Sequence, residues 1–123
     1  MKSSISILIT GSEVLDGRVA DTNSHFIIQR CAAAGLSVAH TLSCTDDIER
    51  ITQCLNFLTQ HSNIVVVSGG LGPTSDDVTT EAIANFVDQK LELNEAALKH
   101  LEELFQTRKR PFDEANKKQA YFP

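Results

Sequence analysis

Three short segments concentrate the carboxylates, glycines and hydroxyls that could handle a phosphorylated molecule. They are TGSEVLDGRVADTN (Thr10 to Asn23), CTDD (Cys44 to Asp47) and SGGLGPTSDD (Ser68 to Asp77). In the last, the glycines let a backbone approach an anion closely, and the N–H groups of a following helix can point at it. The segment is neither of two familiar phosphate loops. A GxGxxG beginning at Gly70 would need glycine where Ser75 stands, and a P-loop would need Gly-Lys where Thr74-Ser75 or Ser75-Asp76 stand. A purely structural reading stays open: Thr74 or Ser75 caps the helix, and Thr74 to Asp77 forms an [ST]-x-x-[DE] box. In CTDD, Asp46 or Asp47 can cap a helix, or offer a carboxylate opposite Asp76 and Asp77. Two carboxylates so placed could hold Mg²⁺ against phosphate oxygens, or one could act as a base towards water. In the first segment Asp21 or Thr22 is a candidate N-cap, whereas loop residue Glu13 has no evident structural task.

Side chains elsewhere offer less. His25, His40, His61 and His100 are scattered, without metal or triad spacing. Cys31, Cys44 and Cys54 form no CxxC and no zinc pattern with histidine, so they read as free thiols of a reducing, cytoplasmic compartment. Arg108-Lys109-Arg110 reads as a solvated helix end, or as a minor phosphate contact.

The elements that must position these loops follow from periodicity. Ser4 to Thr10 reads as a strand around Ile5, Ile7 and Ile9, and Thr22 to Ala34 as a helix burying Phe26, Ile27, Cys31 and Ala34, capped by Gly35. Ser37 to Cys44 is a second strand with Val38, His40, Leu42 and Cys44 on one face. From Asp47, the spacing of Ile48, Ile51, Leu55 and Leu58 marks a second helix. Ile64 to Val67 is a continuous β-branched run, the pattern of a central strand buried on both faces. A third helix is expected from about Asp77 to Phe86, with Val78, Ala82, Ile83 and Phe86 inward. Asn94 should cap a fourth, carrying Ala97, Leu98, Leu101, Leu104 and Phe105, and a polar segment ends the chain. This order implies right-handed crossovers and a mostly parallel sheet in a three-layer α/β/α domain. Ligands of such sheets bind beyond the carboxyl ends of the strands, where all three unusual loops emerge.

Bulk properties bound the function. The chain of 123 residues suits one domain, spanning 1–123, and buries roughly two-thirds of its unfolded surface. It is 41% hydrophobic and 22% charged, and has no apolar run of the ~20 residues that cross a bilayer, so no membrane partner is expected. The net charge of −5 argues against nucleic acid. It also means that a phosphorylated ligand would need a divalent cation or oriented N–H groups to offset repulsion.

Taken together, TGSEVLDGRVADTN, the CTDD junction and SGGLGPTSDDVTTEA resemble the MoaB/Mog molybdopterin-binding fold family, above all its CinA-type (competence/damage-inducible) branch. RKRPFDEANKKQAYFP resembles the CinA-type continuation, so the likeness covers nearly the whole chain. The resemblance implies binding of a phosphorylated pterin or nucleotide at the sheet edge. In the molybdenum-cofactor branch the implied chemistry is adenylylation of molybdopterin. In the CinA-type branch it is metal-dependent hydrolysis of ADP-ribose to AMP and ribose 5-phosphate, with Mg²⁺ or Co²⁺. A binding module without turnover is a further reading. Carried over by motif, Asp46 and Asp77 would be catalytic, and Asp46, Asp76 and Asp77 metal-proximal. Gly69, Gly70, Gly72 and Thr74 would cradle the anion, while Thr10, Gly11, Glu13, Asp21, Asn23, Asn116 and Lys118 would line the pocket. The resemblance also implies further strands after Pro123, hence an open sheet edge here that a second copy could cover in a homo-oligomer.

Overall fold

The computed structural model describes residues 4–123. At its centre is a three-stranded parallel sheet in the order β2-β1-β3, built from β1 (Ile5–Thr10), β2 (Val38–Cys44) and β3 (Ile64–Ser68). Strand β1 is buried throughout, and the pleat divides its side chains between two helical layers. Leu8 joins the main core with Cys44, Ile51, Leu55, Leu58 and Ala82. That core lies under α3 (Ile48–His61) and α4 (Thr79–Phe86), which pack on each other and on one sheet face. Helix α2 (Asn23–Ala33) contacts β1 and β2 from the other face, completing the α/β/α sandwich.

Local chemistry explains most element boundaries. Asp47 is extended and its carboxylate accepts the Arg50 N–H at 2.9 Å, which starts α3. Asn94 does the same for Ala97 at the head of α5 (Glu95–Thr107). Gly35 ends α2 region with a left-handed φ of +73°, a conformation glycine adopts without a Cβ penalty. Strand β2 alternates as its sequence predicts, with Val38, His40 and Leu42 half-buried and Cys44 buried.

Three expectations need correcting. Strand β3 is an edge strand, not a central one: among the described residues it pairs only with β1, Ile64 is exposed and Val65 to Val67 are half-buried. A continuous apolar run reports the potential to be buried, not the neighbour that would do it. On α2, Phe26 is 56% exposed, with the Arg30 guanidinium 5.1 Å above its ring, and Ala34 is exposed beyond the helix end. The inward stripe is Ser24, Ile27 and Cys31, which puts Phe26 about 200° round the helix from Ser24. Helix α4 begins at Thr79, two residues later than expected, with Val78 before it and no side-chain cap. The polar C-terminal segment is ordered. It forms α6 (Glu114–Lys117), a 3₁₀ turn (Lys118–Ala120) and β5 (Tyr121–Phe122), which pairs antiparallel with β4 (Glu92–Leu93). A short helix, α1 (Ser12–Leu15), also lies inside the first loop.

Candidate functional site

All three strands of the parallel sheet run the same way, so the loops after β1, β2 and β3 leave from one edge. Direct hydrogen bonds then tie each loop to another. The backbone N–H of Ser12 donates to the Asp46 carboxylate at 3.0 Å, joining the first loop to the second. The buried hydroxyls of Thr10 and Thr79 meet at 2.8 Å, joining β1 to the head of α4. Asn23 donates from its amide to the Ser68 hydroxyl at 3.0 Å. Asp21 accepts both the N–H and the hydroxyl of Ser24, which secures the first turn of α2.

The glycine-rich loop is held closely against this frame. Gly69 and Gly70 have φ of +101° and +62°. A Cβ on Gly69 would lie 2.0 Å from the Thr10 carbonyl oxygen, and one on Gly70 would lie 2.2 Å from the Thr79 hydroxyl. The Thr79 N–H donates to the Gly70 carbonyl at 3.3 Å, so backbone, not side chain, closes the start of α4. Asp77 therefore does not cap the helix. It closes its own turn: its carboxylate accepts the Thr74 N–H at 2.9 Å and the Thr74 hydroxyl at 2.7 Å. Burial pushes the Asp77 carboxyl up, but the Thr74 hydroxyl and amide, the Gly72 amide and the Lys118 charge outweigh it and hold the group below its ordinary value.

These loops enclose three adjoining hollows. A polar cleft of about 530 Å³ is lined by Ser12, Glu13, Arg18, Asp46, Gly70, Thr74, Asp76 and Asp77. Glu13 is shared with a smaller hollow of about 140 Å³ that reaches Thr10, Asp21, Asn23 and Gly69. Gly70 and Asp77 are shared with an apolar pocket of about 370 Å³ that reaches Gly72 and Lys118. The structure thus brings Glu13, Asp46, Gly70, Thr74, Asp76 and Asp77 onto one cleft, with Thr10, Asp21, Asn23, Gly69, Gly72 and Lys118 on its two neighbours. Gly11 borders them: it donates to the Cys44 carbonyl at 3.0 Å, and a Cβ there would meet the Glu13 carboxylate.

Two of the motif-based residues are already engaged. The Lys118 ammonium donates to the backbone carbonyls of Thr74 and Asp77, and the Gln119 amide reaches the Leu71 carbonyl at 3.5 Å. The C-terminal segment therefore clamps the glycine-rich loop from outside. Asn116 lines none of the three hollows; it exchanges hydrogen bonds with Asp113 in a capping box at the start of α6. Conversely, sequence reasoning did not single out Arg18. Among the described residues Arg18 is the one basic side chain lining the acidic cleft, and it pairs with Asp16 at 2.7 Å. Its place in the same loop as Glu13 was the available signal.

The donor set bears on a cation. Among the described residues, no group of three or more His, Cys, Asp and Glu side chains converges to hold a metal. There is no prebuilt protein cage. Glu13, Asp46, Asp76 and Asp77 nevertheless line one cleft, a donor set suited to Mg²⁺, which commonly takes one or two carboxylates and completes its shell with phosphate and water. Cys44, behind the Asp46 loop, is chemically quiet: burial, then the neighbouring Cys54, pushes its thiol up to about 12.

Fold and edge together define an α/β/α domain whose acidic cleft sits at the carboxyl ends of a parallel sheet, the usual ligand position in that class. Residues 6–119 match the family described as "Probable molybdopterin binding domain", and the chain belongs to that family. It is 37% identical over 117 residues to a putative competence-damage inducible protein of Caldicellulosiruptor bescii, covering 95% of this chain and 28% of the relative. The chain thus spans little more than a quarter of the length of that curated relative. Among solved structures it superposes on CinA of Thermoplasma acidophilum, a protein of unknown function, with a TM-score of 0.85 and 31% identity, over 99% of this chain and 71% of that one. The molybdopterin biosynthesis enzyme MoaB of Thermus thermophilus shares the fold, with a TM-score of 0.67 and 22% identity over 94% and 71% of the two chains. The domain is CinA-like within the molybdopterin-binding family. Among the described residues, no helix is long and apolar enough to cross a membrane.

Proposed function

We propose that this domain binds a nucleotide pyrophosphate of the ADP-ribose class and hydrolyses its phosphoanhydride bond with the help of a divalent cation, Mg²⁺ or Co²⁺. The observation that carries the reading is the convergence of Glu13, Asp46, Asp76 and Asp77 with the close-packed Gly69–Gly70 turn on one sheet edge. The glycine turn allows close approach of phosphate oxygens. The cleft itself is too acidic to accept them unaided, and the cation supplies charge neutralisation when bound. Asp46 is the proposed base. One carboxylate oxygen is fixed by the Ser12 N–H, which orients the other towards the cleft where water would sit. Water adds to one phosphorus, the bridging P–O bond breaks, and the water's proton passes to Asp46; AMP and ribose 5-phosphate leave. Arg18 faces the same cleft and can contact phosphate there.

The test is AMP release from ADP-ribose with Mg²⁺ or Co²⁺, comparing the parent chain with Asp46→Asn and Asp77→Asn. Both substitutions conserve shape and should cut release at least about 100-fold, the scale of a lost general base. Release that survives both would remove the assignment.

A second reading is a molybdopterin- or nucleotide-binding module without turnover, which the family described as molybdopterin binding supports. Tight calorimetric binding of a nucleotide without product formation would favour it. A molybdopterin adenylyltransferase is the related alternative suggested by the fold shared with MoaB.

A further inference from the structure

Away from the acidic cleft, towards the amino ends of the strands, lies a cluster that no step above uses. His40 of β2 faces α3, where Phe57 and His61 stand one helical turn apart. The His61 ring stacks on Phe57 with centroids 4.4 Å apart. His40 meets both rings edge-on, at 5.5 Å from Phe57 and 5.4 Å from His61. Sequence spacing hides this pair, because one histidine comes from a strand and the other from the far end of a helix.

The ring nitrogens show what the pair can do. A carbonyl only accepts, so His61 Nδ1 carries the proton and donates to the Phe57 carbonyl at 2.8 Å. In the neutral ring Nε2 then keeps its lone pair. A backbone carbonyl on the other nitrogen is the usual support of a metal-bound histidine, fixing its tautomer and direction. His40 Nδ1 is buried and, among the described residues, has no hydrogen-bond partner. Native folds leave few such atoms, and a bond to a metal ion would supply the missing partner. Two imidazoles on one tetrahedral ion, at about 2.0–2.1 Å each, place their centroids about 5 Å apart. The observed 5.4 Å matches that spacing. Phe57 is 42% exposed and His61 is exposed, so an ion can reach the cluster from solvent. His61 is also the last residue of α3, where the helix dipole favours a cation.

We propose that His40 and His61 form a two-imidazole site for a divalent ion of the Cu²⁺, Ni²⁺ and Zn²⁺ class, with water completing the shell. Imidazole suits these ions, whereas the carboxylates of the cleft suit Mg²⁺. The fourteen residues of α3 separate the two sites by about 20 Å, so neither depends on the other.

The chain has four histidines, so His25 and His100 serve as internal controls. Ni²⁺, Cu²⁺ and Zn²⁺ salts are titrated separately into the full chain in excess Mg²⁺, followed by calorimetry and, for Ni²⁺ and Cu²⁺, by NMR of the imidazole rings. At one equivalent, paramagnetic broadening should reach His40 and His61 and leave His25 and His100 sharp. Cu²⁺ should bind more tightly than Ni²⁺ or Zn²⁺. His40→Gln and His61→Gln should each weaken binding about tenfold or more, because one imidazole alone no longer chelates. The double variant should lose little further, as expected for residues acting as one unit. His61→Gln alters an exposed position and carries the test should His40→Gln, at a half-buried one, fail to fold. Equal broadening of all four histidines, or a His61→Gln chain that binds Ni²⁺ as the parent does, would overturn the site.

Discussion

Replacing Gly70 with alanine isolates the feature on which the glycine-rich loop depends. At φ +62° an L-residue pays about 1–2 kcal/mol for the left-handed conformation. The new methyl would lie 2.2 Å from the Thr79 hydroxyl and 3.0 Å from the Thr10 hydroxyl. Neither neighbour has room to retreat, because Thr79 is 0% and Thr10 2% exposed. Overpacking of this kind costs about 1–3 kcal/mol, and loss of the 2.8 Å Thr10–Thr79 hydrogen bond adds about 1 kcal/mol. The expected loss is roughly 3–6 kcal/mol, a large share of the ~5–15 kcal/mol that holds a domain of this size. In urea, where slopes are about 1–3 kcal/mol per molar, the unfolding midpoint should fall by about 2 M. Thr79→Ala removes the clashing oxygen, so the double variant should be less destabilised than the two single losses combined, by about 1–3 kcal/mol. A Gly70→Ala loss below about 1 kcal/mol, or strictly additive losses, would refute the close approach of this turn to β1 and α4.

Other measurements probe the frame around the cleft. Because the folded Asp77 carboxyl lies below its ordinary 3.8, its contribution to stability is complete above that pH and is lost as pH falls through the lower, folded-state value. The gap in urea midpoint between the parent and Asp77→Asn should accordingly be constant near neutrality and close in acid; a gap that persists to the acid limit would contradict this. Lys118→Met removes the clamp on the Thr74 and Asp77 carbonyls, and amide exchange across Leu71 to Asp77 should accelerate while that of β1 does not. Unchanged exchange in the loop would show that the clamp is idle. Cys44, protonated until about pH 12, should resist iodoacetamide in the native protein at mild alkaline pH and react once unfolded, as read by peptide mass mapping. Native-state labelling of Cys44 would place its thiol in a different environment.

How far sequence alone reaches depends on the range of the interaction concerned. Asp47 and Asn94 are legible as caps because the N–H groups they accept lie three residues away. Ile51, Leu55 and Leu58 are legible because one helical stripe is repeated. The common edge of the three loops follows from topology, since parallel strands joined by helices present their carboxyl ends together. Phe26 misled because its apolar character outweighed its angular position relative to Ser24. The pairing of Glu92–Leu93 with Tyr121–Phe122 left no trace, as two-residue strands have no period to detect. Lys118 and Asn116 both match a family motif. Only the fold shows that one grips carbonyls 41 and 44 residues away, while the other folds back on Asp113.

The residues proposed to handle the ligand also assemble the site. Asp46 ties the second loop to Ser12, Asp77 closes the turn that Lys118 clamps, and Asn23 ties α2 to Ser68 at the end of β3. Each carboxylate thereby gives up part of its hydrogen-bonding capacity to backbone donors, which fixes its direction. That preorganisation matters in an acidic cleft. Four carboxylates without such restraints would turn apart towards solvent, and a cation with its phosphates would have to draw them together again at an entropic cost. Truncation to alanine at Asp46 or Asp77 therefore confounds loss of charge with loss of the loop that carries it. The shape-conserving asparagines separate the two, because an amide oxygen can still accept from Ser12 or Thr74 while the charge is gone.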